Sequence, residues 1–308
     1  EPIWEGEYCF RETFAAVADE NGCRASFLWT PKEVLSVESY DRETVYEKGI
    51  DYLVEGDELV IPEGSHIPVT GWDTFLYPDF DTAKKAGETS EFAKDFGPLV
   101  ATNGKFLNLC AIGNPKLVTE KQIAVTYKAT KKELLSAPES QLDKLPKLSA
   151  KLEVGEPVKI VLYGDSVCCG CDCSGMYGQK PGQPTWAELL FHQMEEKWQS
   201  PVCFHNTSVG GMDSEWAIEN SSQRAANFHP DLVILGFGMN DRCGMEEYRN
   251  KTGRLIEAIR KVSPKTEFLL IASTLPNELA ATEPHHFWAH QDEYSESLKH
   301  LSEEFIIK

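Results

Sequence analysis

No stretch of about 18 consecutive apolar residues occurs in the chain, so nothing in it is long enough to cross a bilayer as a helix. Positive charge is scarce. The 30 Lys and Arg face 49 Asp and Glu, a formal net charge of -19, and no basic cluster offsets the deficit. Phosphate backbones find no counter-charge on such a surface, and nucleic acid is not an expected partner. No signal peptide is visible and no initiating Met precedes Glu1, so the ends read as cut. Metal-binding knuckles are missing too. Four of the nine cysteines crowd together as Cys168, Cys169, Cys171 and Cys173, yet no second C-x-x-C pair with zinc-finger spacing follows. Adjacent Cys168 and Cys169 share one tetrahedral ion poorly, so no metal is expected, and no organic cofactor is implied. These cysteines read as small, partly buried fillers behind a functional turn. An odd count crowded in this way suits thiols kept reduced, which favours a cytoplasmic setting; secretion stays open if a signal peptide was removed.

What is present is a set of three buried-strand runs, each ending in small residues. Lys159 to Gly175 reads KIVLYGDSVCCGCDCSG, in which Ile160-Val161-Leu162-Tyr163 breaks directly into Gly164-Asp165-Ser166. A short, nearly continuous, β-branched run is what a parallel strand covered on both faces requires. The junction sets the Ser166 hydroxyl at the carboxyl end of a strand, the edge at which open α/β sheets expose their chemistry. A second strand, Pro201 to Phe204, leads through His205-Asn206-Thr207-Ser208-Val209-Gly210-Gly211-Met212-Asp213 into a helix from about Ser214 to Ala226. Backbone N–H groups of the Gly-Gly pair can point there at a negative oxygen. A third strand, Asp231 to Leu235, passes through Gly236-Phe237-Gly238-Met239 and delivers the Asn240 amide to the same edge, followed by Asp241. Acyl transfer needs a nucleophile and two or more donors around a developing oxyanion.

In this order the three blocks resemble those of the SGNH hydrolases of the GDSL esterase/lipase superfamily, from roughly Glu156 onward, about half of the chain. The resemblance implies a flavodoxin-like, three-layer α/β/α domain with a parallel sheet. It implies Ser166 as the nucleophile, with the Gly211 N–H, the Asn240 amide and the Ser166 N–H as oxyanion donors. The G-x-S-x-G elbow of α/β-hydrolases is absent around Ser166. Asp165 reads as fixing the turn through backbone N–H bonds, and Asp241 as bracing the Asn240 loop. Asp172 and Arg242 are weaker candidates for substrate contact, with a solvated loop charge as the default.

The family's last block, an Asp-x-x-His that supplies the base and its orienting acid, has no counterpart after Asn240. The pattern there reads as a helix near Met245 to Val262, a strand Thr266 to Ala272 and a helix near Phe287 to Glu304. Phe305-Ile306-Ile307-Lys308 reads as the approach to a further strand. The expectation is a hydrolase domain that is C-terminally incomplete, whose catalytic histidine lies beyond Lys308. His285 and His286, in the loop after the fourth strand, are the alternatives inside the chain. His290 and His300 are expected on a helix surface, and His192 and His205 as structural residues.

The amino-terminal half has short, turn-bounded strand candidates: Ala25 to Trp29, Val34 to Val37, Thr44 to Tyr46, Leu59 to Pro62, Lys105 to Ile112 and Gln122 to Tyr127. Gly49 to Asp57 adds a strand and tight turn. Such spacing favours an all-β sandwich. Several SGNH carbohydrate esterases carry a jelly-roll-like module in that place, and this arrangement resembles theirs. The expected domains are a β-sandwich accessory domain over 1–129, a linker over 130–156 and the SGNH domain over 157–308. Trp4, Trp29, Trp72, Phe75 and Tyr77 read as sandwich core rather than a sugar-stacking platform. Gly71 to Phe80 is the stretch whose loop chemistry allows exposure. Trp186, behind an apparent Thr185 N-cap, is expected to pack its helix onto the sheet.

Together these readings point to a serine esterase that hydrolyses small acyl esters, acetyl first, through an acyl-enzyme on Ser166. A small ester or acetylated carbohydrate is the expected substrate. The alternative is a non-catalytic carbohydrate-binding protein with a degenerate SGNH domain, in which Ser166 merely lines a pocket. A cysteine-rich metal or redox module ranks third. Oligomeric state, acyl length and sugar identity leave no legible mark in the sequence.

Overall fold

The computed structural model describes residues 6–90, 97–101, 103–112, 114–129, 140–171, 173–275, 277–281 and 290–306. The chain divides into two compact units, Glu1–Glu139 with Tyr177–Gln183, and Ser140–Met176 with Pro184–Lys308.

Antiparallel pairing builds the first unit. Strands β1 (Tyr8–Ala15), β2 (Cys23–Ser26), β3 (Pro31–Ser39), β4 (Leu53–Glu55), β5 (Glu58–Ile61) and β6 (Gln122–Ala129) form two three-stranded sheets, ordered β1-β6-β3 and β2-β5-β4. Half-buried and buried residues alternate along the whole of β6, as a strand with one face on a core must show. That core includes Phe14, Phe27 and Tyr127, with Phe27 edge-on to the other two rings at 5.2 and 4.8 Å. Gly56, at φ +65°, turns the β4–β5 hairpin. Two expectations fail here. Thr44 to Tyr46 contributes only an isolated bridge, Glu38 to Val45. Within Lys105 to Ile112 only Phe106–Leu107 is extended, because the Asn108 side chain accepts the Ala111 N–H and starts a helical turn at Leu109–Ile112. Trp29 and Phe75 are buried as core, whereas Trp72 is 44% exposed. Trp4 lies outside the described residues.

The second unit holds a four-stranded parallel sheet. Strands β7 (Val158–Gly164), β8 (Val202–Asn206), β9 (Leu232–Gly236) and β10 (Glu267–Leu270) are ordered β8-β7-β9-β10. Helices α1 (Pro146–Glu153), α2 (Ser166–Cys169), α3 (Trp186–Trp198), α4 (Ser214–Arg224), α5 (Met245–Val262) and α6 (Gln291–Ile306) connect and cover them. Side chains of β7 and β9 alternate between two helical layers. Ile160, Leu162, Leu232 and Ile234 meet α1 and α3 through Leu148, Leu152, Ala187 and Phe191. Val161, Tyr163, Val233 and Leu235 meet α4, α5 and α6 through Ala217, Leu255, Ile256, Ile259 and Leu301. Cover on both faces is why these strands are apolar throughout, and it makes the unit an α/β domain of three layers. The sheet also caps a helix: the Glu267 carboxylate on β10 accepts the Lys147 and Leu148 N–H groups of α1 at 3.0 and 2.8 Å.

One carboxyl-terminal expectation is corrected. Phe305 and Ile306 continue α6 instead of approaching a strand. Tyr294, Leu298 and Leu301 are buried at helical spacing and carry the helix register onward. Among the described residues, no helix is long and apolar enough to cross a membrane.

The strand order has one consequence for chemistry. β7 lies between β8 and β9, so the chain winds first to one side and then to the other. In open α/β sheets such a switch point is where ligands bind, outside the carboxyl ends of the strands.

Candidate active site

At the end of β7, Asp165 caps α2 by accepting the Val167 N–H at 3.0 Å, and Ser166 sits half-buried in that first turn. The loop after β8 stays alongside β7 beyond the strand itself. Its Thr207 and Val209 N–H groups donate to Leu162 O at 2.9 Å and Gly164 O at 3.0 Å. The Asn206 amide donates to Cys168 O at 2.9 Å, tying this loop to α2. Gly210 lies against the serine: a Cβ there would stand 3.6 Å from Ser166 Cβ. Exposed Gly211 follows at φ +78°, backbone that a residue with a side chain rarely adopts.

The loop after β9 is bound to both neighbours. Asp165 accepts the Met239 N–H as well as its own cap bond. The Asn240 amide donates to Met212 O at 3.0 Å. Asp241 accepts the Ser214 N–H at 3.2 Å and the Ser214 hydroxyl, at the start of α4. The hydrogen bonds thus run in a closed ring: the Asp165–Ser166 turn to the third loop, third loop to second, second loop back to α2. In this way the fold brings Ser166, Gly211 and Asn240 to three adjoining strand ends, with Asp165 and Asp241 each 2% exposed among them.

Burial sets the electrostatics. Desolvation raises the Asp165 pKa above the ordinary carboxylate value, against the pull of its N–H donors, and the charge of Asp241 raises it further. Desolvation likewise raises Asp241, against the bonds from Ser214, with Asp213 adding to the rise. Cys168 is wedged between two strands. Its Sγ lies 2.5 and 2.3 Å from where a Cβ on Gly164 or Gly236 would be, and it donates to Gly236 O at 3.4 Å. Burial pushes the Cys168 thiol up to about 12 and the Cys169 thiol up to about 11, so neither is a thiolate near neutral pH. Among the described residues, no group of three His, Cys, Asp or Glu side chains could hold a metal ion.

Residues 162–307, from within β7 to beyond α6, match the model of the GDSL-like Lipase/Acylhydrolase family. Over this stretch the chain resembles a GDSL-like acylhydrolase domain. No curated protein matches the chain. Solved structures similar to it include a two-domain esterase active on acetylated mannans, at 19% identity and TM-score 0.42. That match covers 52% of this chain and 39% of the mannan esterase, so the chain spans well under half of that protein's length. A psychrotrophic esterase from Pseudoalteromonas sp. is 18% identical over 47% of this chain and 72% of its own, with TM-score 0.36. An acetylxylan esterase from Geobacillus stearothermophilus, solved as a catalytic mutant, is 14% identical over 50% and 75%, with TM-score 0.39.

Within the α/β domain the remaining candidates are scattered. His285, His286 and Asp172 lie outside the described residues. Arg242 is exposed. His192 and His300 sit on helix surfaces near Glu195 and Glu296, at 3.9 and 3.3 Å. His290 precedes α6 rather than lying inside a helix, with Nδ1 3.6 Å from Glu293. The His205 ring packs on Phe228, centroids 4.6 Å apart.

The sequence misplaces one residue near the site and gives no sign of another. Trp186 does not pack α3 onto the sheet; it is 37% exposed, and its indole N–H donates to Val167 O at 3.0 Å. The Thr185–Glu188 capping box fixes where α3 begins, and Ala187 and Phe191, four apart, take the buried face. The indole is thereby pinned to the residue after Ser166. The other is Gln291, buried at the start of α6, which no periodicity or motif marks.

Proposed function

We propose that the protein is a serine esterase that hydrolyses small acyl esters, acetyl first, on a carbohydrate substrate through an acyl-enzyme on Ser166. One observation carries the reading: the closed ring of hydrogen bonds through Asp165, Asn206, Asn240 and Asp241 around a serine at a sheet switch point. Ser166 Oγ attacks the ester carbonyl carbon, and the carbonyl oxygen takes on negative charge. The Ser166 N–H, in a first helical turn that offers no intrahelical acceptor, is one donor to it. The Gly211 N–H and the Asn240 amide are the others. A histidine accepts the serine proton, returns it to the departing sugar oxygen, and then activates the water that releases the acid. His285 and His286, which follow β10 in the sequence, are the candidates for that base within the chain. Asp165 and Asp241 act by holding the loops and transfer no proton. None of these steps calls for a metal or an organic cofactor.

The same reading takes the amino-terminal unit as a β-sandwich accessory module over 1–129, joined through 130–156 to the catalytic domain over 157–308. Its two three-stranded antiparallel sheets support that reading.

A fluorophosphonate probe on the full-length protein tests the nucleophile. The expected result is a single adduct mapped by mass spectrometry to Ser166, lost in Ser166→Ala, together with acetate release from an acetylated oligosaccharide. Sugar binding that survives Ser166→Ala, with no labelling of the unmodified protein, would leave a non-catalytic carbohydrate-binding protein instead.

A further inference from the structure

Gln291 opens α6 and is 1% exposed. Its Nε2 lies 2.9 Å from Asp241 O, 3.3 Å from Gly238 O and 3.4 Å from Met239 O. Three carbonyl oxygens around one side-chain atom identify that atom as the donor nitrogen, since an oxygen there would face three acceptors. Its Oε1 accepts the His290 N–H at 3.3 Å.

The same face of α6 repeats the pattern at intervals of three residues. Tyr294 Oη donates to Cys243 O at 2.6 Å, and Ser297 Oγ to Met245 O at 3.1 Å. From α5, Tyr248 Oη donates to Phe237 O at 2.8 Å, and its ring stacks on Tyr294 at 3.9 Å. The loop between β9 and α5 is neither strand nor helix, so its carbonyls need side-chain donors, and α5 and α6 supply them. Asn240 lies in the middle of that loop, with Gln291 bonded to the carbonyls on both sides of it. Gly238 fits only as glycine: at φ +133°, a Cβ there would meet Tyr248 Oη, Ser273 Cβ and Tyr294 Cδ2 at 3.1, 3.2 and 3.3 Å.

We propose that Gln291 is a positioning residue for the Asn240 amide, holding the loop so that the oxyanion donor is aimed before reaction. The inference rests on the esterase reading. A donor fixed in advance stabilises the transition state without reorganising, whereas a loosened loop leaves ground-state binding of the ester intact. The effect belongs in kcat and not in KM.

The test is steady-state hydrolysis of p-nitrophenyl acetate by the full-length protein and its Gln291→Met variant, which keeps the length of the side chain and loses both N–H bonds. Expected are a kcat about 10- to 100-fold lower and a KM within about twofold. The double variant Gln291→Met/Asn240→Ala should be no slower than Asn240→Ala alone, because one residue acts through the other. Ser297→Ala, on the same helix face but serving Met245, should keep near-normal kcat. If Gln291→Met does not fold, Gln291→Asn, one methylene short of the carbonyls, takes its place with the same expectation. Unchanged kcat, or losses that multiply in the double variant, would overturn the proposal alone. An unmodified protein with no turnover and no fluorophosphonate adduct would overturn the esterase reading and the proposal together.

Discussion

The Asn240 side-chain nitrogen lies 3.0 Å from the Met212 carbonyl oxygen, so the loop after β9 is fastened to the loop after β8 by the same amide that we propose as an oxyanion donor. A primary amide carries two N–H bonds; one fixes its plane on Met212 and the other is available to a substrate oxygen. Asn240→Ala should lower turnover of an acetyl ester about 100- to 1000-fold with little change in KM. Steady-state kinetics decide this, and an unchanged kcat would take Asn240 out of the mechanism.

A histidine base predicts the shape of the pH–rate profile. The base must be neutral to accept the serine proton, so kcat/KM should rise with pH through a single protonation near the ordinary histidine value of about 6.5. With both carboxylates of the site acting only on backbone and Ser214, no second acidic limb is expected. A rate flat from pH 5 to 8 would exclude histidine as the base.

Asp165 and Asp241 set a pH dependence of stability. Desolvation raises both, opposed by the N–H and hydroxyl groups that donate to them. A carboxylate whose folded pKa is raised binds its proton more tightly in the folded state. Its contribution to stability is complete below the unfolded value of about 3.9 and is lost as pH climbs through the folded pKa. Urea unfolding of the α/β domain should therefore show a component of stability that declines from about pH 4 upward. Asp241→Asn keeps an oxygen for the Ser214 donors and removes a charge, so that component should shrink. An identical slope in the variant would count against this pair as its source.

How far the sequence discloses the site follows from the range of the contacts involved. The strand ends carrying Ser166, Gly211 and Asn240 are legible because each is a local event: a covered parallel strand must be apolar, and its exit must be small and polar. Helix α5 is legible end to end for the same reason, with Met245 and Val262 as its bounds in both readings. Gln291 is illegible because its partners are main-chain carbonyls some fifty residues earlier, which no side-chain pattern encodes. Trp186 misleads because hydrophobicity alone places it inward, while a capping box one residue earlier turns it away from the sheet. Phe305-Ile306 misleads because two apolar residues fit either period, and the packing of Leu298 and Leu301 decides for helix.

The wedge of Cys168 between β7 and β9 yields the sharpest structural prediction. At Gly236 the backbone is not in the left-handed region, so an alanine is conformationally admissible and only space opposes it. The space is taken by one atom: Cys168 Sγ would stand 2.3 Å from the new Cβ, and the next neighbour, Ile271 Cβ, is 3.8 Å away. Gly236→Ala should therefore destabilise the domain by about 1–3 kcal/mol, the usual cost of overpacking a tight core. Cys168→Ala alone leaves a small void and removes the thiol bond to Gly236 O, which keeps the Asp165 N–H at 3.2 Å, so it costs about 1 kcal/mol. Combined, the two substitutions exchange the sulfur for a methyl in nearly the same place, so the double variant should be more stable than Gly236→Ala. Denaturant midpoints of the four proteins complete the cycle, and strictly additive losses would show that Cys168 is not what keeps Gly236 a glycine.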